Sequence, residues 1–252
     1  VKEKVVIITG ASSGIGKETA LAFARAGARV VIAARREDPL RQLAAANPQL
    51  FPVVADVTSD AAVARLIETT VKEFGRIDIL INNAGIGMRA LVEKTKPEDA
   101  RRVMEINFFG VLRCTQAALP VMRRQGAGQI VNIASVLAVI ATPRNSIYCA
   151  SKFALLAFSD ALRLEVRSAG IDVITILPGY TDTPFFDNLV RYDGSARMSP
   201  FAGQRPAHVA QVILRACRHR RRQVALSFLG ILGGWSKRLV PGFVDWSLRR
   251  SV

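Results

Sequence analysis

The stretch KVVIITGASSGIGKETALAFARAGARVVIAA, residues 4–34, decides the fold. Residues 4–9 carry a continuous β-branched apolar run, the pattern of a strand covered on both faces of a parallel sheet. Gly10, Gly14 and Gly16 follow in a turn, residues 15–26 read as a helix, and the run RVVIAA at residues 29–34 predicts a second buried strand. Glycines at this junction let the backbone turn tightly and approach a pyrophosphate, which the first amides of the helix then face.

The same alternation continues along the chain. Apolar runs at residues 51–55, 77–81, 129–134 and 172–177 predict four more strands, and residues 223–226 offer a seventh. Helices are expected over residues 60–74, over one long span at 97–124, and over 145–168 and 206–220. Strands alternating with helices imply an α/β fold, a single Rossmann-type doubly wound parallel sheet of about seven strands with helices on both faces. Residues 1–226 are expected to form this dinucleotide-binding and catalytic domain, and residues 227–252 an amphipathic extension. The one long irregular stretch, residues 181–203, follows the end of a strand, where such folds place binding loops.

Of the 252 residues, 50% are hydrophobic and 22% charged, which excludes a disordered chain. The net charge of +15 comes mostly from arginines scattered over helices, without interleaved aromatics, so no nucleic acid is expected as partner. Cys114, Cys149 and Cys217 are odd in number and lack metal-ligand spacing, which fits a reducing, cytoplasmic setting. His208 and His219 join no ligand cluster, so no metal is implied. No charged and apolar leader precedes the first strand of this sequence.

Tyr148 and Lys152 stand four apart on an expected helix and so share one face. A phenol with a pKa of about 10 is a poor proton carrier near neutrality, and a neighbouring ammonium favours its phenolate. Ser135 follows an apolar strand, just upstream of that helix. These elements occur in the order TGASSGIG at residues 9–16, Asn83-Ala84-Gly85, Asn107, Ser135, Tyr148 with Lys152, and Pro178-Gly179. Over residues 4–215 the chain thereby resembles the short-chain dehydrogenase/reductase family, whose glycine pattern is TGxxxGxG.

The resemblance implies a nicotinamide-dependent oxidoreductase. In it Tyr148 exchanges a proton with the carbonyl or alcohol oxygen and Ser135 holds that oxygen. Lys152 grips the nicotinamide ribose, and Asn107 fixes a water linking Lys152 to solvent. It further implies that Gly10, Ser12, Ser13, Gly14, Ile15 and Gly16 hold the pyrophosphate side and Asp56-Val57 lie near the adenine. Asn83, Ala84 and Gly85 line the cofactor cleft, and Pro178 and Gly179 flank the nicotinamide. Thr181 or Thr183, the latter fitting the spacing better, bonds its carboxamide or the phosphates.

Cofactor choice turns on the end of the second strand, where an acid would bond a ribose 2′-hydroxyl. Ala34 stands there, followed by Arg35 and Arg36, whose guanidinium forks suit a 2′-phosphate, so NADP(H) is favoured over NAD(H). Family members that prefer NADP often carry a basic residue just before the middle glycine, where this chain has Ser13, and Arg35 must then carry more of the selectivity. Leu137, Ala138, Ile140, Phe185, Phe186 and Leu189 are expected to border an apolar substrate pocket with Ser135 and Tyr148, which suits a lipophilic ketone, aldehyde or alcohol. Two other functions stay open: a 3-oxoacyl-thioester reductase meeting an acidic carrier, and a non-catalytic dinucleotide sensor or membrane-surface scaffold. The intact Ser135, Tyr148 and Lys152 set argues against the last. Cys149 is assigned only the role of a small side chain.

A homodimer or homotetramer is implied by the resemblance, through the helices carrying Asn107 and Tyr148. Beyond residue 226, Phe228, Leu229, Ile231, Leu232, Trp235 and Leu239 recur at helical spacing, and Pro241 is expected to start a second helix with Phe243, Trp246 and Arg249. The run is shorter than the roughly 20 residues that span a bilayer. A peripheral membrane contact, a subunit contact and a pocket lid are the open alternatives for it.

Overall fold

The structure, a computed structural model, describes residues 1–187, 189–192, 203–227, 232, 236 and 239–248. Its strands are β1 (Val5–Thr9), β2 (Arg29–Ala34), β3 (Leu50–Val54), β4 (Ile79–Asn82), β5 (Met88–Arg89), β6 (Gly128–Ile133), β7 (Ile171–Leu177), β8 (Val190–Arg191) and β9 (Gln223–Ala225). Its helices are α1 (Gly14–Arg25), α2 (Glu37–Ala45), α3 (Asp60–Phe74), α4 (Pro97–Met104), α5 (Gly110–Gln125), α6 (Ser146–Glu165), α7 (Pro206–Arg218) and α8 (Pro241–Leu248). Seven strands form one sheet in the order β3-β2-β1-β4-β6-β7-β9, and every pairing is parallel.

The apolar runs are continuous because each strand is covered twice. Val6, Ile8, Val30 and Ile32 point into one core with Phe23 of α1, Leu40 of α2 and Ile213 of α7. Ile7, Val31 and Ala33 point the other way, against Leu66 of α3, Met122 of α5 and Leu162 of α6. Successive side chains alternate across a strand, so a residue that fails to be apolar on either face would leave one of the two layers unpacked. The strand order reverses between β1 and β4, and their carboxyl ends diverge there into a crevice.

Helix ends follow their local chemistry. The Ser59 hydroxyl accepts from the Ala62 amide at the start of α3, and Gly75 ends it in the left-handed region at φ 73°. Pro97 and Pro206 open α4 and α7, where a missing N–H costs nothing.

The structure corrects the sequence expectation in three places. The long helix expected at residues 97–124 is broken by a π-helical turn at Glu105–Phe109, which carries buried Ile106 and Asn107 between α4 and α5. Helix α2 was not expected at all; only Leu40 of its nine residues is buried, so its apolar stripe is too thin to show. The stretch at residues 181–203 contains a strand after all, β8, paired in parallel with β5.

In the C-terminal segment, α8 exposes Phe243 and Trp246, whose rings stack with centroids 6.1 Å apart, and buries Val244. Phe228, Leu229, Ile231, Trp235 and Arg249 lie outside the described residues. No helix among the described residues is long and apolar enough to cross a membrane.

A buried polar ladder ties the sheet to its second helix layer. Asn82 Nδ2 donates to Asn132 Oδ1 at 2.9 Å and to Thr115 Oγ1 at 3.3 Å, and Asn132 Nδ2 donates to Ser159 Oγ at 2.9 Å. This joins β4, β6, α5 and α6 directly beneath the crevice. Removing Asn132 takes a buried partner from both Asn82 Nδ2 and Ser159 Oγ. Asn132→Ala is therefore expected to lose about 2–3 kcal/mol of stability in urea unfolding, whereas a loss below about 0.5 kcal/mol would mean that the ladder is dispensable.

Candidate active site

The crevice widens into a cleft of about 670 Å³ across the carboxyl ends of the central strands. Its glycine-rich wall is fixed by a joint between β1 and β4. Thr9 Oγ1 accepts from the Asn83 and Ala84 amides at 3.0 and 3.1 Å, while Asn83 Nδ2 donates to the carbonyls of Thr9 and Gly10 at 2.9 and 3.1 Å. Gly10 takes φ 66°, and a Cβ there would lie 2.8 Å from Ala84 Cα. A Cβ on Gly16 would lie 2.4 Å from the Gly10 carbonyl oxygen. Both positions therefore require glycine, one for conformation and one for space.

Helix α1 begins above this joint. Ser13 at its N-cap makes no side-chain capping bond, which leaves the first-turn amides without a side-chain acceptor where Ser13, Gly14 and Ile15 line the cleft. That arrangement fits a pyrophosphate, which would take those amides without displacing a side chain. Ser12, Ser13, Gly14 and Ile15 line the cleft beside Asn83, Ala84 and Gly85, and Gly16 lies behind them as the close-packing residue. Pro178, Gly179, Thr181 and Thr183 form the wall opposite, and the Thr183 Cβ lies 3.2 Å from where a Gly14 Cβ would sit.

At the outer end, Arg35 and Arg36 are exposed and line the cleft next to Ala34. Arg36 Nη2 donates to Ser12 Oγ at 3.3 Å, which tethers this guanidinium over the glycine turn. The sequence expectation asked more of Arg35 because Ser13 carries no charge; Arg36 is the guanidinium held against Ser12. Asp56 and Val57 close this end, and Asp56 Oδ1 accepts from the Thr58 amide and hydroxyl, both at 2.9 Å.

Ser135, Tyr148 and Lys152 meet at the inner end. Ser135 follows β6 and caps a short turn, its Oγ accepting from the Leu137 amide at 3.1 Å. The same hydroxyl lies beside the Tyr148 phenol and acts to lower its pKa. One turn along α6, Lys152 is buried, and its Nζ donates to the Ile133 carbonyl at 3.0 Å and lies 5.8 Å from the Tyr148 ring centroid. Asn107 does not face the cleft. Its Oδ1 accepts from the Ile86 amide, and its Nδ2 donates to the Ile86 carbonyl and to Ser151 Oγ. The side-chain amide is thus committed to holding the Gly85-Ile86 wall, and a Cβ on Gly85 would touch both Asn107 Oδ1 and Lys152 Nζ.

Burial dominates the electrostatics here. It pushes the Tyr148 phenol up to about 12, against the Ser135 hydrogen bond, which acts in the other direction. It pulls the Lys152 ammonium down to about 8. The expectation that Lys152 brings the phenol down is corrected for the protein alone: near neutral pH the site holds a protonated phenol beside a charged ammonium.

Leu137, Phe185, Phe186 and Leu189 line the substrate end, with Phe185 edge-on to Tyr148 at 6.0 Å between centroids. Ala138 is fully buried in a separate cluster, and neither it nor Ile140 lines the cleft. The structure adds lining residues that the sequence did not single out, among them Arg89, Arg102, Asn145, Tyr180 and Arg191. Arg89 and Arg191 come together only through the β5–β8 pairing, for which two-residue strands leave no periodicity to detect.

A family model for the short chain dehydrogenases matches residues 4–193. The chain is 38% identical over 257 residues to the dehydrogenase/reductase SDR family member 7B of Bos taurus, with 96% of this chain and 79% of that protein covered. A short-chain dehydrogenase from Streptomyces avermitilis superimposes with a TM-score of 0.85 at 30% identity, over 98% of this chain and 97% of the other. A 3-ketoacyl-(acyl-carrier-protein) reductase from Brucella melitensis, complexed with NADH, does so with a TM-score of 0.82 at 28% identity, over 89% and 97% of the two chains. With its parallel seven-stranded sheet and its ordered motifs, the chain belongs to the short-chain dehydrogenase/reductase family of oxidoreductases.

Proposed function

We propose that the protein is an NADP(H)-dependent oxidoreductase that interconverts a lipophilic ketone or aldehyde and its alcohol. The observation that carries this is that Ser135, Tyr148 and buried Lys152 line one cleft with the glycine turn. The nicotinamide cofactor, when bound, supplies or accepts the hydride. Tyr148 gives its phenolic proton to the carbonyl oxygen in reduction, and Ser135 donates a hydrogen bond to that oxygen. The Lys152 charge stabilises the phenolate left behind, and Asn107 positions the wall against which Lys152 lies. Arg36, tethered through Ser12, and Arg35 support the NADP(H) preference, with no acid at Ala34 to oppose a 2′-phosphate. Phe185, Phe186, Leu137 and Leu189 support a lipophilic substrate.

A second function, 3-oxoacyl-thioester reduction, is favoured by the likeness to the Brucella reductase and by the net charge of +15. For assembly, we assign the subunit contact to the faces of the π turn and α6, where Phe109 and Phe153 are exposed.

NADPH oxidation against a panel of steroid, retinoid, aliphatic and acyl-thioester carbonyls tests the activity and separates the two substrate classes. Tyr148→Phe is expected to keep cofactor affinity and lose turnover by about a hundredfold or more; retention of more than about a tenth of the rate would remove Tyr148 from the donor role.

The pH dependence has a definite sign. Reduction needs the phenol protonated and Lys152 charged, both of which hold below about 8, so reductive kcat/KM is expected to be flat through neutrality and to fall above about 8. Oxidation of the alcohol needs the phenolate and is expected to rise with pH over the same range. Parallel profiles in the two directions would contradict these roles.

The double variant Arg35→Ala, Arg36→Ala is expected to weaken NADPH binding about tenfold or more and NADH binding by about twofold or less, measured by cofactor fluorescence. Equal losses would remove the 2′-phosphate contact.

A further inference from the structure

Gly87 stands in the wall between Gly85 and β5 and lines the cleft with Ile86 and Met88. Its φ lies outside the left-handed region, so its backbone conformation does not call for glycine. The demand is one of space. A Cβ on Gly87 would overlap Leu189 Cδ2 outright and lie 2.9 and 3.0 Å from Cε1 and Cζ of Phe185. The ends of two side chains from the substrate end therefore fill the volume that any other residue would take here. Phe185 in turn packs edge-on against Tyr148, with ring centroids 6.0 Å apart.

The backbone that carries these side chains is held in place. The Val190 amide donates to the Gly87 carbonyl at 3.1 Å, and β8 pairs with β5. The Tyr192 hydroxyl donates to the Asp99 carboxylate on α4, and Arg191 donates to the Phe186 carbonyl. Retreat of the chain to relieve a clash at Gly87 would break this pairing. A side chain pushed off Gly87 turns instead into the cleft, the open side that both Leu189 and Phe185 already line.

We infer that Gly87 is a specificity-determining residue that sets the width of the substrate end. Because it presents no side chain, the ends of Leu189 and Phe185 are stored against the wall, out of the path to Tyr148. The cleft thereby admits a carbonyl carried on a bulky, ring-sized group as well as one on a slim chain. The inference rests on the carbonyl-reductase function proposed above and concerns the substrate class of that same site.

The test reads binding, so it does not depend on turnover. Borneol, a bulky bicyclic alcohol, and hexanol, a slim one, are titrated calorimetrically into the protein in saturating NADPH, and the wild type is expected to bind both. Gly87→Ala is expected to weaken borneol about tenfold or more and hexanol by about twofold or less, with NADPH affinity held within about twofold. Adding Leu189→Ala to Gly87→Ala removes the group that the new methyl strikes, and is expected to return borneol affinity to within about threefold of that of Leu189→Ala alone. Leu189→Phe fills the same space from the other side without touching the wall, so it is expected to exclude borneol whether or not Gly87→Ala folds. Equal losses for the two alcohols in Gly87→Ala or Leu189→Phe, no recovery in the double variant, or a wild type that binds hexanol but not borneol would overturn the proposal. Binding of neither alcohol by the wild type would overturn it together with the lipophilic substrate class. A protein that discriminates as expected but reduces no carbonyl in the panel would contradict the reductase function alone.

Discussion

The site depends on how closely α1 can approach the ends of β1 and β4. A single joint sets that distance: Asn83 bonds back to the Thr9 and Gly10 carbonyls, Thr9 holds the two amides after β4, and a Cβ on Gly16 would come within 2.4 Å of the Gly10 carbonyl oxygen. Because the sheet order reverses at this point, the joint also fixes the floor of the cleft. Below it, Asn82 continues into the buried ladder through Asn132 and Ser159 to α6, the helix that carries Tyr148 and Lys152. Beyond it, Gly85 rests between Asn107 and Lys152. The phosphate-side turn and the catalytic side chains are thus mounted on one continuous polar framework in the middle of an otherwise apolar core.

That framework allows two ionisable groups to be buried side by side. A lysine with one carbonyl partner and a phenol beside Ser135 are both driven by burial towards their neutral forms, the lysine down to about 8 and the phenol up to about 12. The direction suits reduction, since the donor keeps its proton while the cation that stabilises the departing proton's phenolate is still charged near neutrality. Positive charge is concentrated at both ends of the cleft, at Arg35 and Arg36 outside and at Arg89 and Arg191 within.

Much of this was legible in the sequence because it depends on runs of residues. Continuous apolar strands, glycine spacing in TGASSGIG and the i, i+4 pair of Tyr148 and Lys152 each leave a local pattern, and each was located where the fold has it. The rest depends on distance. The π turn at Asn107 inserts a residue into a helix without any change of composition, and α2 buries only Leu40. The bonds of Asn107 to Ile86 and Ser151 join it to two other segments and leave no pattern in the sequence. Arg89 and Arg191 look like two of many scattered arginines until β5 and β8 pair. The opposing effect of burial on the Tyr148 phenol was not legible, because charge proximity can be read from helix spacing and burial cannot.

The central claim is that burial keeps Tyr148 protonated in the free protein, so that it serves as the proton donor. It is tested most directly by an ultraviolet pH titration of phenolate absorbance, wild type minus Tyr148→Phe, which isolates this one tyrosine. The account expects no difference signal through the ordinary tyrosine value of 10.0, with ionisation only towards about 12. A Tyr148 phenolate signal appearing near neutral pH would contradict it.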